Sequence, residues 1–225
     1  MSAPTTFDGV RLRRRHGAAA HDANRIRLGV VSTYPPHPGA LARFTADLAA
    51  ALARTAPEIA VSICAVDVDG LRYPRDVAVR VDGADPSDYP RAGRRLDAIG
   101  VDVALVEYRF DTFGGPHGRY VLGLTDQLRR LNMPYIVMLH GIGPRLTPAR
   151  ADAVRALCRD ATYVTTWSDG AAGLLTRFGL VAANRLVVLA PPSEVVSTVA
   201  TLVRVGGGRR PTTGADRREL TLRQR

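Results

Sequence analysis

IRLGVVSTYPPHPGALARFTADLAAALART, residues 26–55, runs from a short apolar segment, through a loop forced by prolines and a glycine, into an amphipathic helix. In 26–32 apolar side chains follow one another with little alternation, which is how a strand covered on both faces reads. Over 41–55 the spacing changes. Leu41, Phe44, Leu48 and Leu52 recur at helical intervals, and Pro57 stops the run. A strand, a loop at its carboxyl end and a helix that packs back onto the strand form the first unit of a parallel sheet.

Outward from this stretch the same unit repeats. Strands are predicted over 58–66, 77–81, 102–108, 135–140, 161–167 and 185–190, and the alternating VAVRV of 77–81 suits a sheet edge. Helices are predicted over 87–100, 120–132, 148–160 and 168–179. Thr147 before Pro148, and Ser168, stand as N-caps, while Gly100 and Gly179 stand where a left-handed residue closes a helix. The expected fold class is α/β: a single Rossmann-like, doubly wound, mostly parallel sheet with disordered tails. The expected organisation is a basic tail over 1–24, the Rossmann-like domain over 25–192, and a residual segment with a second basic tail over 193–225. Within that last part SEVVSTVATLVRV reads equally as helix or strand.

An apolar fraction of 46% is enough for a core, and no run approaches the ~20 apolar residues that span a bilayer. The net charge of +10 is concentrated at the ends. Residues 1–27 carry Arg11, Arg13, Arg14, Arg15, Arg25 and Arg27 against Asp8 and Asp22. Residues 204–225 carry Arg204, Arg209, Arg210, Arg217, Arg218, Arg223 and Arg225 against Asp216 and Glu219. The middle of the chain is close to neutral, so nucleic-acid binding is not expected, and weak contact with anionic membrane is expected only through the arginine tails. No apolar stretch follows the N-terminal arginines, so a secretory leader is not expected. Cys64 and Cys158 fall in a predicted strand and helix and read as small buried hydrophobes of a cytoplasmic protein, with peripheral membrane contact as the variant.

The strand ends select the candidate site. Parallel sheets bind ligands beyond their carboxyl edge. That edge receives the loop with Gly39 and Ala40, then Glu107 and Tyr108, then His140 followed by Gly141, then Ser168 and Asp169. His140 is placed to exchange hydrogen bonds with a ligand hydroxyl or to act as acid or base, and equally to satisfy loop carbonyls. Glu107 is either solvent-facing in the cleft, where a carboxylate suits adjacent sugar or inositol hydroxyls, or paired, or pins the loop after it through backbone N–H groups. Gly39, opening a helix, can present N–H groups to an anion or simply make a turn. Neither dinucleotide nor P-loop fingerprint is present, nor metal-ligand spacing, so no cofactor and no metal site are expected.

VVSTYPPHPGALARFTADLAAAL, LVEYRFDTFGGPHG and MPYIVMLHGIGPRLTPARADAVRALC, with the weaker ATYVTTWSDGAAGLLTRFGL and RLVVLAP, come in an order that resembles the N-terminal, acceptor-side domain of family-four retaining glycosyltransferases of the GT-B type, particularly actinobacterial ones. The resemblance covers roughly residues 26–191. It implies transfer of a sugar from a nucleotide-sugar donor to a hydroxyl of a sugar, inositol or lipid acceptor, without a bound metal. His140 would be the catalytic-site histidine beside the reacting sugar, Glu107, Tyr108 and Gly141 acceptor contacts, and Gly39 with Ala40 the loop near the donor diphosphate. The chain departs from the pattern at Val106, where a histidine is frequent, and at Ala190-Pro191-Pro192-Ser193, where the linker turn differs. The donor-side domain has no counterpart in this sequence. A truncated relative, inactive alone, or half of a split enzyme with a separate donor-domain chain is therefore expected. The alternative is a non-catalytic binding or scaffold module, assembling with itself or a partner.

Overall fold

Every apolar run becomes a strand of one sheet. In the computed structural model, which describes residues 25–67, 69–189 and 194–207, the strands are β1 (Ile26–Ser32), β2 (Ile59–Asp67), β3 (Val77–Asp82), β4 (Val103–Tyr108), β5 (Tyr135–Leu139), β6 (Tyr163–Thr166) and β7 (Leu186–Val188). Their order is β3-β2-β1-β4-β5-β6-β7, and each neighbouring pair is parallel. The alternating strand is an edge, as its pattern predicts. The tails expected over 1–24 and beyond 207 lie outside the described residues.

The helices are α1 (Ala40–Thr55), α2 (Asp88–Ala98), α3 (Val121–Arg130), α4 (Pro148–Cys158), α5 (Asp169–Arg177) and α6 (Val195–Gly207). Local chemistry sets their ends. Thr147 Oγ1 accepts from the Arg150 N–H and Ser168 Oγ from the Ala171 N–H at 3.2 Å. Gly100 and Gly179 close α2 and α5 with φ of +80° and +60°, a conformation costly for any residue with a Cβ.

Strand alternation divides the core in two. Val106, Tyr108, Val137 and Leu139 face one side, beneath α2, α3 and α4, with Leu175 of α5 joining them. Leu28, Val30, Leu105, Ile136 and Met138 face the other, beneath α1 and α6. Each fully buried leucine contributes about 1.5–3 kcal/mol by leaving water. On the first side two buried tyrosine hydroxyls are bonded: Tyr89 donates to Gly83 O at 3.1 Å and accepts from the Gly114 N–H, and Tyr135 donates to Leu157 O at 3.1 Å.

Residues 195–207 form a helix that belongs to the core. Val195, Val199, Ala200, Leu202 and Val203 are buried in the α1 side. The hydrophobic core thus continues past the boundary expected at 192, because the small and β-branched residues of this segment make one apolar stripe at helical spacing. Cys64 and Cys158 are buried and unpaired, their thiols pushed up to about 12 by burial. No helix among the described residues is long and apolar enough to cross a membrane.

The chain winds outward from the middle of the sheet in both directions, through β1, β2 and β3 on one side and β4 to β7 on the other. Connections leaving β1 and β4 therefore diverge, and a crevice opens at their carboxyl ends. The candidate site lies there.

Candidate functional site

α1 begins at this edge and lays its first two turns across the ends of β1, β4, β5 and β6. Phe44 projects between two strand-end rings. Its centroid lies 5.4 Å from that of His140, edge to face at 72°, and 5.4 Å from that of Trp167 at 82°. His140 and Trp167 are themselves 5.4 Å apart. His140 directly follows β5 and is fixed by its backbone N–H, which donates to Tyr108 O at 2.8 Å. These rings, with Ala40, Leu41 and Arg109, line an open cavity of about 290 Å³.

The electrostatics of His140 follow from this packing. Burial first, and the Arg109 charge second, push its imidazole down to about 4. At neutral pH the ring is uncharged, able to accept at one nitrogen and donate at the other. Its Nε2 is buried and has no hydrogen-bond partner among the described residues; nor has the indole Nε1 of Trp167. Arg109 is held by Asp111 through Nε–Oδ1 at 2.5 Å and Nη2–Oδ2 at 3.0 Å.

Beneath the cavity lies Glu107, 0% exposed, on the same face of the sheet. Thr45 Oγ1 of α1 is 2.6 Å from Glu107 Oε2, 2.9 Å from Ser32 Oγ and 2.8 Å from Leu41 O. One hydroxyl hydrogen cannot serve three acceptors. Donated to Leu41 O, the usual choice of a helical threonine, it leaves Thr45 Oγ1 to accept from Ser32 and from a protonated Glu107. Burial raises the carboxyl to about 7, so its protonated, donating form is well populated near neutral pH. Its Oε1 has no hydrogen-bond partner among the described residues, and neither has Thr165 Oγ1 on β6. Four orphan polar atoms thus gather at one edge of one face. Each costs about 1–3 kcal/mol if left unbonded, and such clusters mark places where a ligand or water completes the bonding.

With that geometry in view, comparison with known proteins is informative about the fold. No family model and no curated protein sequence matches the chain. Solved structures do. A chain of sucrose-phosphate synthase from Thermosynechococcus elongatus superposes with a TM-score of 0.55 at 14% identity, over 80% of this chain and 98% of that one. The chain has the fold of a GT-B half-domain. UDP-GlcNAc 2-epimerase from Neisseria meningitidis, bound to UDP-GlcNAc, gives 0.49 at 12% identity, over 88% of this chain and 52% of that one. α,α-Trehalose 6-phosphate synthase from Burkholderia multivorans gives 0.40 at 16%, over 69% and 43%. The chain spans about half of the epimerase and less than half of the trehalose 6-phosphate synthase.

The structure brings some of the sequence-selected residues together and separates others. His140 and Ala40 share the cavity, and Gly39, with φ +142°, leads the chain into α1 beside it. Glu107 lies below the cavity, joined to α1 by Thr45. Tyr108 points to the opposite face of the sheet, 1% exposed, where its hydroxyl donates to His117 O and its ring stacks on Phe113 at 5.9 Å. Gly141 turns the chain at φ +73° and lines a neighbouring cavity instead. Ser168 caps α5. Strand ends do not select Phe44, Thr45 or Arg109, and Trp167 is missed although a predicted strand ends on it. Trp167 carries a usable signal, since it ends its predicted strand just as His140 ends the one before. Among the described residues no group of three His, Cys, Asp or Glu is placed to hold a metal ion.

Proposed function

We propose that this chain is the acceptor-side domain of a family-four-like sugar transferase, its carboxyl sheet edge forming one wall of the cleft in which a nucleotide-sugar donor meets a hydroxyl acceptor. The observation that carries this is the open cavity lined by the rings of Phe44, His140 and Trp167, with the buried His140 Nε2 and Trp167 indole N–H beside it lacking a hydrogen-bond partner among the described residues. Sugars present both chemistries: hydroxyls that donate and accept, and C–H faces that pack on rings.

In this reading His140 orients a sugar hydroxyl. A base whose conjugate acid titrates near 4 takes up a hydroxyl proton poorly at neutral pH, so hydrogen bonding, not proton removal, is its part. Glu107 acts from below, holding the first turns of α1 through Thr45. Gly39 and Ala40 open the 16-residue α1, whose first N–H groups suit the donor diphosphate. Arg109, the arginine among the described residues that line the His140 cavity, is already engaged by Asp111. Leaving-group stabilisation then falls to a facing body, and the chain alone holds acceptor without transferring sugar.

Trp167 is the only tryptophan, so its indole is a site-specific reporter. Titrating the full chain with glucose, myo-inositol and UDP-glucose should shift the Trp167 indole and His140 imidazole NMR signals together, with no transfer product. Silence of both signals at millimolar concentrations of all three would defeat the reading.

A further inference from the structure

A larger cavity, of about 480 Å³, runs along the flank of α1, lined by Phe44, Asp47, Ala51 and Arg54 of that helix together with Trp167 after β6 and Val196 of α6. We propose that it is the face on which two copies of this chain meet, each laying its α1 antiparallel against the other's about a two-fold axis that passes between Ala50 and Ala51. At 3.6 residues per turn Asp47, Ala50, Ala51 and Arg54 lie on one side of the helix. Asp47, Ala50 and Arg54 are exposed and Ala51 is half-buried. The core takes a different side, that of Leu41, Thr45, Leu48 and Leu52.

The charges of this row single out a second copy as the occupant. Asp47 and Arg54 have no ion pair and no side-chain hydrogen bond among the described residues. They stand two helical turns apart with Ala50 and Ala51 midway between them. An isologous contact joins each residue to the same counterpart in both directions. With the axis at the two alanines, Asp47 faces the partner's Arg54 and Arg54 faces the partner's Asp47, so both charges are paired at once. A parallel arrangement sets like against like and is repelled. The methyl side chains at the axis let the two helices approach to about 8 Å, the close end of helix packing. Apolar contact comes from the flank, where Phe44, Trp167 and Val196 are only partly buried by the chain's own core. Exposed ion pairs fix register and orientation more than affinity. The axis lies about 10 Å along α1 from Phe44, which leaves the first turn of the helix to the His140 cavity and makes the assembly independent of the sugar reading.

The test is sedimentation of the full chain from micromolar to millimolar concentration at physiological ionic strength. The wild type should dimerise and stop at the dimer, because an isologous contact closes on itself. D47R and R54D each set two pairs of like charges face to face and should weaken dimerisation about ten-fold or more. An equimolar mixture of D47R and R54D should dimerise as the wild type does, since every contact in the mixed pair joins opposite charges. The D47R/R54D double variant should do so alone. Rescue on mixing cannot come from a fold that the single changes have spoiled. A wild type that stays monomeric overturns the inference and leaves the groove to another occupant, such as a donor-side chain. Single variants that dimerise like the wild type place the contact elsewhere and overturn it too. So does a mixture that associates no better than its parts, because the two-fold pairing is then wrong.

Discussion

The two ends of the sheet are built from the same strands and treat their polar groups in opposite ways. At the amino end each entry into a strand is tied down. The Ile26 N–H donates to Glu58 O at 2.9 Å, Asp102 N–H to Arg27 O at 2.8 Å, Ala104 N–H to Pro134 O at 3.0 Å and Thr162 N–H to Tyr135 O at 2.8 Å. Asp102 returns the bond, accepting from the Arg27 N–H, and Arg185 donates to Arg159 O and Ala161 O. At the carboxyl end Glu107 Oε1, His140 Nε2, Thr165 Oγ1 and Trp167 Nε1 are buried and unbonded. The lesson is one of allocation. Satisfied groups hold the fold, and the unsatisfied ones gather at the edge where, on the proposed function, a ligand completes them.

The strongest way to break this contrast is to exchange the roles of the two regions. Leu28→Ala, in the middle of β1 and wholly buried, should lower unfolding free energy by about 2–5 kcal/mol, as large-to-small core changes do, while the folded fraction keeps its Trp167 response to sugar. At pH 7.5, where the imidazole is neutral folded or unfolded, His140→Ala should change stability by less than about 1 kcal/mol, because the lost ring contacts are offset by removing an orphan nitrogen, and should abolish that response. Urea denaturation with the indole titration checks both. A His140→Ala protein as unstable as Leu28→Ala would make the edge a structural element like the rest.

A sharper contrast lies in pH, within the edge itself. Glu107, raised to about 7, gives the fold stability that is complete below its ordinary 4.5 and is lost as pH rises through 7. His140, lowered to about 4, gives stability that is complete above its ordinary 6.5 and is lost as pH falls through 4. Each effect is on the order of 3 kcal/mol, and the two slopes oppose across nearly the same window. Their sum is almost flat in the wild type. Glu107→Gln should unmask a stability that rises between pH 4 and 6.5, and His140→Ala one that falls between 4.5 and 7. Denaturant midpoints at pH 4.5, 6 and 7.5 read the slopes. Wild-type-like profiles for both variants would show that neither group is held as the geometry implies.

Much of the fold is legible in the order of residues alone. Buried parallel strands write themselves as apolar runs, so 26–32, 102–108 and 135–140 each fall within a residue of the observed elements. α6 is harder: after Pro192 its valines and threonines suit strand and helix alike, and only the flank of α1 and β1 that it covers decides for helix. The site is legible in part. Strand ends name His140 and Glu107, and the period of two already separates Glu107 from Tyr108, which a reading of adjacent residues as a pair overlooks. The Ser32, Thr45 and Glu107 cluster joins elements far apart in sequence through sheet register and the rotation of α1, which no local pattern encodes.

Ser168 tests how far the division of labour extends, with the smallest effect. It lies two residues beyond β6, next to Trp167, at the edge where polar groups are left open, yet its Oγ is committed, accepting the Ala171 N–H at 3.2 Å as the cap of α5. If every polar side chain at this edge were kept for ligand, Ser168→Ala would weaken sugar binding and leave stability alone. The cap argument predicts the reverse. Removing the hydroxyl leaves an N–H of the first turn without its acceptor and should cost about 1 kcal/mol, with the Trp167 response unchanged. Ser168→Asp should restore the cap and add a favourable charge at the helix start, recovering the loss. A binding defect in Ser168→Ala that Ser168→Asp fails to correct would move Ser168 from the frame of the site into the site, because only a ligand contact distinguishes a neutral hydroxyl from a carboxylate that caps equally well.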